Sequence, residues 1–242
     1  MPGFCIYAGE LINQSTLTNL LQNYEQIDPI TIEDETLDQL HKVSGFNIRQ
    51  DGTMQFIYQW DEPLSYNHRG ETRRVIRTFN LNVRIITGDH SLYFLVEKDV
   101  KSKQVLVELS KIIYNSTERI LNASIASDLI KSIELRDAQK SENKWFRATS
   151  SLDKAVGLFG DLEIKNADGT HGESEANRAF RNREQTASRF LSQSRTEVRV
   201  YISANKSSVT LKSKTEINVG LDDVERYIRN FVLPGLIIES SI

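Results

Sequence analysis

A single cysteine, Cys5, is all the thiol chemistry that 242 residues offer. One thiol excludes an intrachain disulfide framework and a cysteine-built zinc site. Its neighbours Phe4, Ile6 and Tyr7 mark it as a small buried hydrophobe. Histidine is as sparse: His41, His68, His90 and His171 lie far apart, without the spacing of metal ligands. A glycine-rich phosphate loop, a nucleophile elbow and a paired-cysteine motif are all missing. No apolar run approaches the roughly 18 residues that cross a bilayer. The N-terminus has no basic region followed by an apolar core, so no ordinary signal peptide is expected. These absences predict a cytoplasmic globular protein with no membrane contact, no cofactor and no metal ligands. The Asn-x-Ser/Thr triplets at Asn13, Asn115, Asn122 and Asn205 then read as chance matches.

Charge of one sign is not in large excess either. The formal net charge is −3, which gives no global field for a nucleic acid or a membrane. The distribution is uneven, however. Residues 1–72 carry Lys42, Arg49 and Arg69 against eleven acids, a balance of −8 that leaves +5 for the rest of the chain. Such asymmetry fits complementary surfaces between halves or subunits, or separate acidic and basic faces; scattered solvated charge produces it too.

What the chain does have is alternation. Phe79, Leu81, Val83 and Ile85 alternate with Asn80, Asn82 and Arg84, the period of a half-buried strand. The turn Thr87-Gly88-Asp89-His90 and a second apolar run, residues 92–96, follow. After Asp99 the period lengthens, and Val105, Leu109, Ile112 and Ile113 share one side of a 3.6-residue helix. A strand, turn, strand, helix unit with one apolar face needs a second layer. The fold class expected is therefore α+β, antiparallel sheet with helices packed on one face. Upstream, Leu11, Leu17, Leu20, Leu21 and Tyr24 form a helical stripe, and the acidic residues 31–40 read as a second short helix after Pro29. Asp51-Gly52, between alternating runs at 43–49 and 54–60, signals a hairpin. Residues 63–71, with Asn67-His68-Arg69-Gly70, read as a polar loop.

In the second half, Ile120, Ile125, Leu129, Ile130, Ile133 and Leu135 mark one or two helical segments before a charged run at 136–144. Residues 152–159 read as a helix and 161–165 as a short strand. From Thr196 the first pattern returns. Val198, Val200 and Ile202 alternate with Arg199 and Tyr201, Ala204-Asn205-Lys206 turns, Val209 and Leu211 mark a strand, and residues 221–232 form a helix. Val105, Leu109, Ile112 and Ile113 recur 119 positions later as Val224, Ile228, Phe231 and Val232. An ancestral duplication produces such a match, and so does the generic pattern of any unit of this kind. Duplication implies two pseudo-repeated strand-strand-helix lobes, 1–114 and 115–242; the alternative is one continuous domain. Paired lobes of this type resemble saddle-shaped nucleic-acid-binding folds, in architecture alone.

The densest cluster of one chemistry lies at 176–195, where Arg178, Arg181, Arg183, Arg189 and Arg195 stand against Glu184 alone, a local charge of +4 with no lysine. On a helix, Ala176, Ala179, Phe180, Ala187, Phe190 and Leu191 gather on one side and Arg178, Arg181 and Arg189 on the other. Guanidinium forks suit phosphates and carboxylates, so such a face fits a nucleic-acid backbone or an acidic protein surface; an ordinary solvated helix face carries the same pattern. A second basic set, Arg69, Arg73, Arg74, Arg77 and Arg84, surrounds the central strand with Tyr66 and His68 nearby. On an open sheet it would follow phosphates while rings stack on bases, though long arginines also cover sheet edges.

For an enzyme, the candidate set is Asp161, Glu163 and Lys165, with Asp153 upstream. Carboxylates on a divalent ion and a lysine orienting water form the residue set of metal-dependent nucleases of the restriction-enzyme-like fold, which this stretch resembles. Alternation with Leu162 and Ile164 also explains the same stretch as the outer face of an amphipathic strand. Together these features predict a non-catalytic nucleic-acid-binding or adaptor module that contacts phosphates through Arg178, Arg181, Arg189, Arg74 and Arg84. The alternative is an assembly protein that self-associates or binds an acidic partner, and the third reading is the nuclease.

Overall fold

Strand formation follows the two-residue period wherever β-branched and aromatic residues alternate with polar ones. The computed structural model describes residues 1–32, 35–139, 145–149, 162–165, 184–195, 197–215 and 218–236. For 32, 35, 68, 71–74, 145–149, 162–165 and 184–185 it describes the backbone alone. Twelve strands, predominantly antiparallel in their pairing, and four α-helices make the described fold α+β. No described helix is long and apolar enough to cross a membrane. The chain divides into two compact units, Tyr7–Leu121, and Met1–Ile6 with Asn122–Ile242. Strand β1 (Gly3–Glu10) is shared between them, residues 3–6 belonging to one and 7–10 to the other.

In the unit Tyr7–Leu121 the strands run in the order β2 (Glu25–Ile32), β3 (Glu35–Ile48), β4 (Met54–His68), β5 (Glu71–Thr87), β6 (Ser91–Glu97), then the end of β1. Met54, Phe56, Tyr58 and Trp60 on β4 and Leu81, Val83 and Ile85 on β5 are all buried on one face. Two helices supply its second layer. α1 (Gln14–Leu21) is capped by Asn13, whose side chain accepts from the Ser15 N–H at 2.8 Å, and it buries Leu17 and Leu21. α2 (Ser102–Tyr114) buries Val105, Leu106, Leu109 and Ile113 and ends on Asn115 in the left-handed region. The hairpin at Asp51-Gly52 forms as its sequence signals, with Gly52 at φ +79°.

Two expectations for this unit fail, for the same reason. Residues 31–40 are not a helix; they lie in β2 and β3, paired from Glu25↔Lys42 to Ile32↔Glu35. Ile27, Ile30, Thr31 and Ile32 favour the strand, and Pro29, lacking an N–H, is tolerated because β2 is the edge. Nor is 63–71 a loop. β4 and β5 stay paired from Met54↔Ile85 out to His68↔Glu71 and are joined by Arg69-Gly70, both at positive φ (+52° and +84°) as a tight hairpin turn of that hand requires. Side-chain polarity imitated a loop, while cross-strand pairing set the backbone.

In the other unit the order is the start of β1, β12 (Ser208–Ser213), β11 (Val198–Ser203), β10 (Glu184–Leu191), β8 (Trp145–Thr149), β9 (Leu162–Lys165); β7 (Ile120–Asn122), whose first two residues belong to Tyr7–Leu121, pairs with β1. Phe190, Val200 and Leu211 form one inward row and Ser188, Ile202, Val209 and Phe4 the next. Against the core pack α3 (Ser127–Asp137), through Leu129, Ile130 and Ile133, and α4 (Leu221–Tyr227), through Val224 and Tyr227. A π-helical turn, Ile228–Val232, continues α4 and buries Ile228 and Val232 before Pro234 ends it. The expected helix over 176–195 does not hold where the chain is described, since Glu184–Leu191 is β10. Residues 176–183, and the helix expected at 152–159, lie outside the described residues. Leu135 leaves the helical stripe assigned to it and stands 88% exposed.

Ile133→Ala and Leu135→Ala separate the two faces of α3. The first empties a fully buried site and is expected to cost about 2–5 kcal/mol of unfolding free energy. The second should stay within about 0.5 kcal/mol, as chemical denaturation will measure.

Candidate nucleic-acid interface

The alternation of β11 sorts Val198, Val200 and Ile202 inward and leaves Arg199, Tyr201 and Ser203 half-buried on the opposite side. Register extends that side across the neighbours. Arg199 lies between Lys212 of β12 and Leu191 of β10, and Tyr201 between Thr210 and Arg189. The Arg189 guanidinium sits over the Tyr201 ring, 5.9 Å from its centroid, a cation–π geometry that holds a charge and a ring as one surface. Arg199 and Lys212 are like charges placed directly opposite, an arrangement that destabilises a bare sheet. Neither has an ion-pair partner among the described residues. Toward β1 the same face closes, with Gly3 directly against Thr210; a Cβ on Gly3 would come within 2.6 Å of the threonine hydroxyl.

A buried polar cluster fixes this register. Asp137, at the end of α3, is fully buried. Its carboxylate accepts from the Ser192 hydroxyl (2.8 and 3.0 Å), the Ser194 N–H (2.8 Å) and the Tyr227 hydroxyl (2.8 Å). The Gln193 N–H donates to its carbonyl at 2.5 Å, and the Ser188 hydroxyl donates to Glu134 one turn earlier. Two turns of α3 are thereby tied to β10, and Tyr227 ties α4 to the same carboxylate. Burial, followed by the adjacent Asp137 charge, pushes the Tyr227 phenol well above its ordinary range. Arg195 is committed to structure, donating to Asp223 at 2.5 Å. Burial opposes ionisation of Asp223, but the Gly220 N–H and Arg195 outweigh it and hold its carboxyl below the ordinary carboxylate range.

The expected site residues are not brought to one place. Arg178 and Arg181, with Asp153 and Asp161, lie outside the described residues. Arg189 joins the β10–β11–β12 face. Arg74, on β5 opposite Ser65 of β4, belongs to the other unit, and Arg84 of β5 is only 7% exposed. Glu163 and Lys165 are in β9, opposite Arg147 and Trp145 in backbone register. Among the described residues no three His, Cys, Asp or Glu side chains gather to hold a metal ion. Arg199, Tyr201 and Lys212 escaped the sequence reading as a site, although the period of Val198 to Ser203 was sufficient to place Arg199 and Tyr201 together.

Fold and geometry thus define an α+β protein whose second unit carries a basic, aromatic-containing sheet face. No protein-family model matches the chain, and no curated protein matches it in sequence.

Removing one donor from the buried carboxylate tests the scaffold. Tyr227→Phe is expected to cost about 1.5–3 kcal/mol at neutral pH, the usual worth of a hydrogen bond to a charged group. A phenol whose pKa is raised in the folded state contributes stability below the unfolded value, about 10, and loses it as pH rises beyond. Denaturation midpoints of the parent should therefore fall above about pH 10, and fall less steeply in Tyr227→Phe.

Proposed function

We propose that this chain is a non-catalytic nucleic-acid-binding module whose β10–β11–β12 face contacts the phosphate backbone. The observation that carries this reading is the cross-strand pair Arg199 and Lys212, which has no ion-pair partner among the described residues, one register row from the Arg189–Tyr201 stack. Cations that repel one another across a sheet are offset when an anion bridges them, and successive phosphates are such an anion. The Tyr201 ring gives an unstacked base a partner of either sequence, so the preference falls on single strands, with little base specificity.

The two units are read as diverged copies of one strand-turn-strand-helix element. Supporting this, the buried stripe Val105, Leu109 and Ile113 of α2 recurs 119 positions later as Val224, Ile228 and Val232. A second reading, self-association, is favoured by the ribbons of the unit Tyr7–Leu121 and is developed below. The nuclease reading rests on Asp153, Asp161, Glu163 and Lys165, and no described side chain favours it.

Fluorescence anisotropy with a labelled single strand, measured against salt, tests the proposal. Arg199→Ala/Lys212→Ala should weaken binding to every sequence alike and lower the slope of log affinity against log salt by about 1.4, two contacts at roughly 0.7 each. Tyr201→Ala should cost about 1–3 kcal/mol, the worth of one base stack, and leave the slope largely unchanged. Equal affinity of parent and double variant at all salt concentrations would remove this face from consideration.

A further inference from the structure

β4 pairs with β3 only as far as His41↔Trp60, and β5 pairs with β6 only from Val83 onward. Beyond those points β4 and β5 pair only with each other, through eight register pairs from Asp61↔Thr78 to His68↔Glu71. That ribbon extends about 25 Å at strand rise. Its root is rigid. Trp60 and Phe79 stack at 5.4 Å, Trp60 donates to Glu62 at 2.9 Å, and Lys101 at the start of α2 pairs with Glu62 at 2.6 Å. Arg77 lies over the Phe79 ring at 4.9 Å. The outer part is different: Tyr66 is 45% exposed, and Val75 and Ile76, neighbours whose side chains point to opposite faces, are each 44% exposed. A two-stranded ribbon with apolar residues bare on both faces is marginal by itself, and its edges are templates for pairing.

Beside it stands a second ribbon of opposite charge. β2 and β3 pair from Glu25↔Lys42 outward, and residues 25–41 contain six acids and no lysine or arginine. Residues 61–78 contain four arginines and three acids, Asp61, Glu62 and Glu71, of which Glu62 is paired with Lys101. The ribbons meet at a small groove lined by Ile30, Leu37 and Gln39 from one and Asp61, Pro63 and Ile76 from the other. Gln39 donates to the Asp61 carbonyl across it at 2.6 Å. On the described side chains, Asp38 is exposed on the acidic ribbon, as is Ile27 at 57%, and Asp28 is half-buried, its carboxylate accepting from the Gln26 amide; Arg69 and Arg77 are exposed on the basic one.

We propose that the unit Tyr7–Leu121 is a self-association module, in which the basic β4–β5 ribbon of one copy docks on the acidic β2–β3 ribbon of a second copy. Charge complementarity selects the occupant: one chain carries both halves of the match. Because the ribbons lie side by side, a two-fold axis satisfies both pairings at once, and the product is a closed dimer instead of an open fibre. Docking covers Ile27, Tyr66, Val75 and Ile76 and gives the ribbon the third and fourth strands that it lacks. This inference is independent of the nucleic-acid face, which belongs to the other unit.

Analytical ultracentrifugation of the full chain, stripped of nucleic acid by nuclease and high salt, tests it. The parent should be a dimer at low salt and dissociate as salt screens the ribbons. Arg69→Glu/Arg77→Glu and, separately, Asp28→Lys/Asp38→Lys should each raise the dissociation constant about tenfold or more. An equimolar mixture of the two variants should recover association, which a folding defect in either would not do. Arg199→Ala/Lys212→Ala should dimerise as the parent does, separating this outcome from failure of the proposed function. A parent that stays monomeric at low salt, or charge-reversed variants that dimerise unchanged, would overturn the proposal.

Discussion

Every surface property of this protein depends on the two-residue period of its strands. A slip of one residue in β11 would turn Arg199 and Tyr201 into the core and put Val198 and Val200 outside. Register therefore decides charge. Three devices hold it: tight turns at positive φ, such as Arg69-Gly70; the ring row of Tyr58, Trp60 and Phe79; and the carboxylate of Asp137, which unites α3, the end of β10 and α4. The last is the strictest, because a buried charge is tolerated only while all its hydrogen bonds are made.

Arginine content alone is a poor guide to partners in this chain. Several guanidinium groups are consumed internally: Arg195 by Asp223, Arg229 by Glu225, Arg119 by Glu10, and Arg136 by the Phe231 carbonyl. Arg84 is buried outright. Two others lean on rings, Arg77 on Phe79 and Arg189 on Tyr201. A ring beneath a guanidinium restricts its orientation.

Some elements were legible residue by residue. The central strand at Phe79 to Ile85, the Asp51-Gly52 hairpin, the stripe of α2 and the alternation of Val198 to Ile202 all appear where local pattern places them. The failures share one cause. Residues 31–40 and 63–71 are rich in acids, asparagine and turn formers, and at 176–195 alanines and arginines satisfy a helical wheel. In each described case a cross-strand partner far along the chain, or a hairpin continued beyond its core, overrode local preference.

By itself the sequence determined the layers: which residues must be buried, where the period changes from two to 3.6, and that it carries no paired-cysteine, glycine-loop or clustered-histidine motif. Those properties are local, because a side chain's hydrophobicity and its spacing from near neighbours do not depend on the rest of the chain. Only the tertiary structure decided which charges meet. Arg199 comes opposite Lys212, and Arg189 over Tyr201, through hydrogen bonds between distant strands. An acidic ribbon stands beside a basic one for the same reason, since pairing energy accrues between segments whose separation along the chain carries no local signal.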